Sequence, residues 1–149
     1  MTDAAPFVAL RDVLTLEQVD DDAFVGRSLP QLNGRVYGGQ VLAQALLAAG
    51  ATNPAGRRPH SLHGYFLRPG ALDVPIRFEV ERLRDGRSFS ARRVHALQDG
   101  TAILSMITSA QEDQPGIDQQ QPVPSAPDPE TLESAVERLS TVEHPVARF

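Results

Sequence analysis

Two Asp-Gly pairs, Asp85-Gly86 and Asp99-Gly100, each lie between segments of strand-like sequence, and no other feature restricts the fold as tightly. Asp-Gly favours the positive φ angles of tight hairpin turns, so each pair is expected to join two antiparallel strands. The predicted meander runs from Val74 to Arg84, Arg87 to Gln98 and Thr101 to Gln111. Its first strand shows the period plainly: Ile76, Phe78 and Val80 alternate with Arg77, Glu79 and Glu81, which buries one face and wets the other. Upstream, apolar and aromatic residues crowd a further strand from Ser61 to Leu67, stopped by Pro69-Gly70.

Before these strands the period differs. A glycine-rich loop, Asn33 to Gln40, leads straight into Val41 to Ala49, which is apolar nearly all the way round and so belongs in a core. The predicted helix runs from Gly39 to Ala49, with Gly50 as a left-handed C-cap and Asn53-Pro54 and Gly56 closing the segment. Phe7 to Val25, which carries Asp20, Asp21 and Asp22, holds a first strand or a short helix. One central helix followed by antiparallel strands is an α+β layout in which the sheet can wrap the helix.

With 149 residues, 41% of them hydrophobic, the chain has the size and composition of one globular domain. Cysteine is absent, which excludes a disulfide framework, a thiolate metal site and a cysteine nucleophile together. A net charge of −5 argues against nucleic acid as a partner. No apolar run approaches the roughly eighteen residues of a membrane span, and Met1 to Leu10 lacks the basic start of a secretion signal. A cytoplasmic protein without membrane contact is expected.

Glu112 to Glu130 is rich in Pro, Gln and Asp and has no apolar period to offset the entropy of ordering it. The reading is therefore a domain over residues 7–111 and an interdomain linker, partly disordered, over 112–149. Within the linker, Thr131 to Leu139 suits a short helix with Asp128 as N-cap and Pro129 in the first turn. A linker that reaches His144-Pro145-Val146-Ala147-Arg148-Phe149 with nothing after it suggests a second domain beyond.

The sharpest chemical hint is Gly38-Gly39-Gln40. Unpaired backbone amides at a helix N-terminus are positioned to stabilise a carbonyl oxygen or a developing oxyanion, and glycine lets a ligand approach the backbone. The same glycines equally suit a tight turn into a buried helix, and Gln40 and Gln44, four apart, equally suit a capping and packing pair. His60 and His63 form His-x-x-His, but on a strand an odd separation points them to opposite faces, which disfavours a metal site. A Ser-His-Asp set from Ser61, His60 or His95, and Asp73 or Asp85 lacks the Gly-x-Ser-x-Gly elbow. Guanidinium forks match phosphate oxygens, so Arg92 and Arg93, within a set that includes Arg57, Arg58, Arg82, Arg84 and Arg87, are candidates for the phosphates of a ligand; a solvated strand edge explains them as well. Gly34, Gly38 and Gly39 have the wrong spacing for a dinucleotide loop.

Four blocks carry a family resemblance: Gly34 to Val41, His60 to Gly70, Val80 to Val94, and Ser109-Ala110-Gln111. In order and spacing they resemble the acyl-CoA thioesterase II family. The resemblance implies a double hotdog, two tandem halves that each wrap an antiparallel sheet round a long helix, with acyl-CoA bound between them. It implies hydrolysis by direct attack of water, without cofactor or metal, by an Asp, a Thr or Ser and a Gln in the second half. The positions of the first half that face those three are, on this pattern, Ser61, Gly86 and Gln111, and only the glutamine survives. The implied site residues are Gln111 and His60 for catalysis and Gly38, Gly39 and Gln40 for the thioester carbonyl. The implied partner is a second hotdog domain or a copy of the chain itself, hence a homo-oligomer; the rival is an inert binding or assembly half. A hydratase is disfavoured, because the helix start offers Gly, Gln and Tyr where that class needs an Asp and His pair.

Overall fold

The computed structural model describes residues 4–140, so the expectation attached to His144 through Phe149 lies outside the described residues. The chain divides into two units, residues 1–114 and 115–149. The first opens with α1 (Ala4–Leu14), β1 (Glu17–Asp20) and β2 (Ala23–Gly26), so Phe7 to Val25 holds both a helix and strands. Then come α2 (Gly38–Ala51), β3 (Arg57–Phe66), β4 (Ile76–Asp85), β5 (Phe89–Gln98) and β6 (Thr101–Glu112). The strands form one antiparallel sheet in the order β1-β2-β4-β5-β6-β3, which leaves one edge of β3 without a partner strand among the described residues.

The core sits between α2 and the inner face of the sheet. Val41, Ala45, Ala48 and Ala49 of α2 pack against Ile76, Phe78, Val94, Ala96, Leu104 and Met106. Small alanines let the helix lie close to the strands, and the alternation in β4, β5 and β6 supplies the opposing large side chains. Burial of α2 is not all-round: Leu47 is 45% exposed, because the sheet covers one side of the helix only.

Among the boundaries that differ from the sequence reading, which include the earlier start of β3 at Arg57 and the later start of β4 at Ile76, two show their physical reason directly. Asp99 (φ 48°) and Gly100 (φ 74°) form the expected two-residue turn. At Asp85-Gly86 neither residue has a positive φ; Gly86 N–H donates to Phe89 O at 2.8 Å, and Arg87-Ser88 form the tip. Nor does Gly50 end the helix. It continues to Ala51, and Thr52 caps it by donating its hydroxyl to Ala49 O at 2.9 Å.

Among the described residues of the second unit, Pro129–Thr131 form a 3-10 turn whose Glu130 N–H is accepted by the Asp128 carboxylate at 3.0 Å. The helix α3 (Ala135–Ser140) starts later than expected, behind a reciprocal cap in which Ser134 and Glu137 bond each other's backbone N–H. Asp128 therefore caps the turn rather than the helix. No helix among the described residues is long and apolar enough to cross a membrane.

Candidate thioester-binding site

The chain enters α2 at Tyr37, an extended N-cap whose side chain bonds no helix amide. The first orphan donors of the helix, the N–H groups of Gly38 and Gly39, find no backbone acceptor among the described residues, whereas Gln40 N–H bonds Tyr37 O at 3.0 Å. Two exposed aromatic rings stand over the glycines. A Cβ on Gly39 would come within 2.5 Å of the Tyr37 ring, and one on Gly38 within 3.1 Å of the Phe66 ring. Only glycine allows both rings to close in while leaving the backbone free to meet a third group.

Gln40 plays a different part from the two glycines. Its Oε1 accepts from Leu29 N at 3.0 Å, and its Nε2 donates to Arg27 O at 3.1 Å and to Gln44 Oε1 at 3.3 Å. Gln44 in turn donates Nε2 to Val13 O and Arg27 O at 2.8 and 2.9 Å. The pair thus ties the segment before α2 to the helix. With side chain and amide both engaged, Gln40 offers a ligand no free donor, which corrects its expected place beside Gly38 and Gly39.

The other expected residues gather at the opposite end of β3. His60 is the extra residue of a bulge between Pro59 and Ser61. Its Nε2 lies 2.9 Å from Ser109 Oγ, and its ring meets Phe89 edge-on at 5.9 Å. Phe89 is paired with Gln111, whose side chain is half-buried and makes no hydrogen bond among the described residues. His63 packs on Tyr65 at 4.8 Å on the same outer face. The bulge cancels the odd separation, so His60 and His63 share a face instead of opposing each other. From His60 to Phe66 the strand advances about 20 Å, so His60 and Gln111 are not brought to the Gly38-Gly39 amides within this chain. Asp85 bonds Arg92, so no Ser-His-Asp set assembles around it.

The arginines separate by strand parity. Arg92 stands on the inner face with Val94 and Ala96, its side chain 1% exposed. It donates Nε and Nη2 to Thr52 Oγ1 and O, Nη2 also to Asp85 Oδ1, and Nη1 to Arg84 O and Ala91 O. With its donors spent inside, it is a strut and not a phosphate ligand. Arg93, on the outer face, donates to Glu81 Oε2 at 2.8 Å.

Beside Gly38 a groove of about 330 Å³ opens between the start of α2 and the end of β3. Phe66, Ile103 and Arg68, which donates Nη1 to Ala102 O at 2.9 Å, border it. Sequence reasoning missed this groove and the two covering rings. Tyr37 adjoins the glycines in sequence and was the available signal; Phe66 arrives from another element.

Residues 27–111 match the family described as acyl-CoA thioesterase N-terminal domain. The chain belongs to that family. It is 42% identical over 127 residues to acyl-coenzyme A thioesterase 8 of Mus musculus, a match that covers 84% of this chain and 40% of the relative. The solved tesB protein of Mycobacterium avium subs paratuberculosis superposes with a TM-score of 0.77 at 45% identity, over 84% of this chain and 49% of that one. A hot dog protein from Alicyclobacillus acidocaldarius superposes with a TM-score of 0.73 at 22% identity over 82% of this chain and 47% of that one, which speaks for the fold alone. The thioesterase-family domain described above is thus a hotdog, a helix on an antiparallel sheet. The chain spans about two fifths of the length of the mouse relative and about half of the solved ones.

Proposed function

We propose that this chain is one half of an enzyme that hydrolyses acyl-CoA to a free carboxylic acid and coenzyme A. Its family membership over residues 27–111 carries the reading, and the open amides of Gly38 and Gly39 give it a chemistry. They hold the thioester carbonyl oxygen and then the tetrahedral oxyanion formed when water adds to the carbonyl carbon and gives up a proton to the surrounding solvent. The C–S bond breaks as that oxyanion collapses, and the coenzyme A thiolate leaves and takes a proton from solvent. No covalent enzyme intermediate and no metal is invoked.

The water-directing groups come from a second hotdog unit, a copy of this chain or a separate one. The bare edge of β3 suits the meeting, because an antiparallel pairing of two such edges sets the His60 and Gln111 end of one unit beside the Gly38 and Phe66 end of the other. Gln111 is then the residue that orients water, and His60, held by Ser109, lies beside it. Free thiol released from acyl-CoA by the chain together with a second unit is the test; no release from any chain length would sink the reading.

A second reading is an inert binding or assembly half, favoured by the separation of His60 and Gln111 from the glycines within one chain. Turnover by this chain alone that Gln111→Ala abolishes would contradict it.

A further inference from the structure

We propose that the cleft between the residues that follow β2 and those that precede β4 binds a small aminocarboxylate, a molecule with one carboxylate and one ammonium group. The cleft shares no lining residue with the groove beside Gly38, so it stands or falls apart from the acyl-CoA reading.

Arg27 and Ser28 form one wall, and Leu72, Asp73, Val74 and Pro75 form the other. Neither wall belongs to a helix or a strand, yet both are fastened from inside by buried glutamines. Gln40 Nε2 and Gln44 Nε2 donate to Arg27 O at 3.1 and 2.9 Å, and Gln40 Oε1 accepts from Leu29 N at 3.0 Å. Across the cleft, Gln98 Nε2 donates to Ala71 O and Val74 O at 2.8 and 2.7 Å, and its Oε1 accepts from Ala71 N at 2.8 Å. Loops fixed in this way keep their shape before a ligand arrives, which lowers the entropic cost of binding.

The groups that the walls present are unspent. Elsewhere on this domain Arg77, Arg82 and Arg93 each hold a carboxylate, at 3.0, 2.7 and 2.8 Å. The side chains of Arg27 and Asp73 make no hydrogen bond or ion pair among the described residues, with each other or with any third group, although they face one cleft. Ser28 Oγ is buried and without a hydrogen-bond partner, a costly state for a hydroxyl. An anion alone would answer Arg27 and be repelled by Asp73; a cation alone would meet the reverse. A ligand with both charges satisfies both walls. Its carboxylate accepts from the Arg27 fork, its ammonium donates to Asp73, and the Ser28 hydroxyl, re-aimed by one rotamer step, donates to the carboxylate as well. The volume limits the rest of the molecule: about 210 Å³, at the ~30 Å³ of a water molecule, admits about seven non-hydrogen atoms. Glycine, β-alanine and 4-aminobutyrate fit within that limit, and amino acids with large side chains do not.

The test is an NMR titration of the 149-residue chain that follows the amides of Ser28 and Asp73. Glycine, β-alanine and 4-aminobutyrate step the separation of the two charges; acetate and ethylamine carry one charge each. The best of the three aminocarboxylates is expected to bind about tenfold more tightly than either singly charged probe, the weight of one charge-assisted hydrogen bond. Arg27→Gln and Asp73→Asn each lower that affinity about tenfold, and Ser28→Ala lowers it about fivefold. Arg27 and Asp73 are exposed, so both variants are expected to fold, and their melting temperatures check this. Acetate binding as tightly as every aminocarboxylate makes the cleft a plain anion site and overturns the proposal. An affinity unchanged in folded Arg27→Gln or Asp73→Asn overturns it too, as does the absence of any shift at these amides up to about 50 mM ligand.

Discussion

Arg92 and Thr52 are joined twice: Nε donates to the threonine hydroxyl and Nη2 to its carbonyl, each at 2.9 Å. Forty residues apart in sequence, they fasten the C-terminal end of α2 to β5. A guanidinium there also complements the negative end of the helix. Arg92→Ala removes the donors that reach Thr52 O, Arg84 O and Ala91 O and opens a cavity. The expected loss is about 2–4 kcal/mol, moderated because Asp85 is half-exposed and returns to water. Urea unfolding measures it. Arg92→Lys is expected to restore little, since one ammonium cannot span the same fork of acceptors.

Gln44 donates to two backbone carbonyls, and that makes Gln44→Glu the sharper substitution. It sets a carboxylate against Val13 O and Arg27 O, whereas Gln44→Leu only removes the donor. The glutamate variant is expected to be less stable than the leucine variant by about 1–3 kcal/mol at neutral pH, with the gap closing in acid as the carboxyl protonates. Thermal melts of both variants at two pH values decide.

Gly39→Ala forces the Tyr37 ring off the helix start. Under the proposed function, hydrolysis by the chain together with a second unit is expected to fall toward the ~100-fold loss seen when one oxyanion donor is put out of reach, with stability changed by only about 1–2 kcal/mol. Rate and melting temperature are read on the same protein. A large loss of rate without a comparable loss of stability is the expected pattern.

In the second unit, bonds from the backbone and the hydroxyl of Ser134 hold the Glu137 carboxyl below its usual pKa. A depressed value means that the charged form is favoured when the cap is made. The cap's contribution is therefore present above the ordinary glutamate range and is lost as the pH falls through the lowered value. The Ser134 amide shift in an NMR titration should move with a midpoint below that of a free glutamate, and Glu137→Gln should abolish the midpoint.

The strand half of the fold was legible because alternation is local. Ser90, Arg92, Val94 and Ala96 share parity, so even the burial of Arg92 was readable, while its partners Thr52 and Asp85 belong to other elements. Asp99-Gly100 behaved as its dihedral preferences demand. Asp85-Gly86 did not, because the β4–β5 pairing runs on with a register shift between Arg82 and Arg84 and moves the turn to Arg87-Ser88. At the site, Gly38-Gly39 announced itself, but the silencing of Gln40 by Arg27 and Leu29 is a tertiary fact. So is the single face shared by His60 and His63, which depends on one extra residue in β3.

The unpaired edge of β3 makes this domain sensitive to how much of it is present. Pro59, without an N–H, and the bulge at His60 interrupt the ladder near one end, which confines a pairing partner to the run from Ser61 to Phe66. A landing strip that short binds weakly between separate molecules. Tethered to a second copy at the millimolar effective concentration of a short linker, it would stay occupied. Such an edge rewards gene fusion, and it turns overproduction of the single unit into an aggregation hazard.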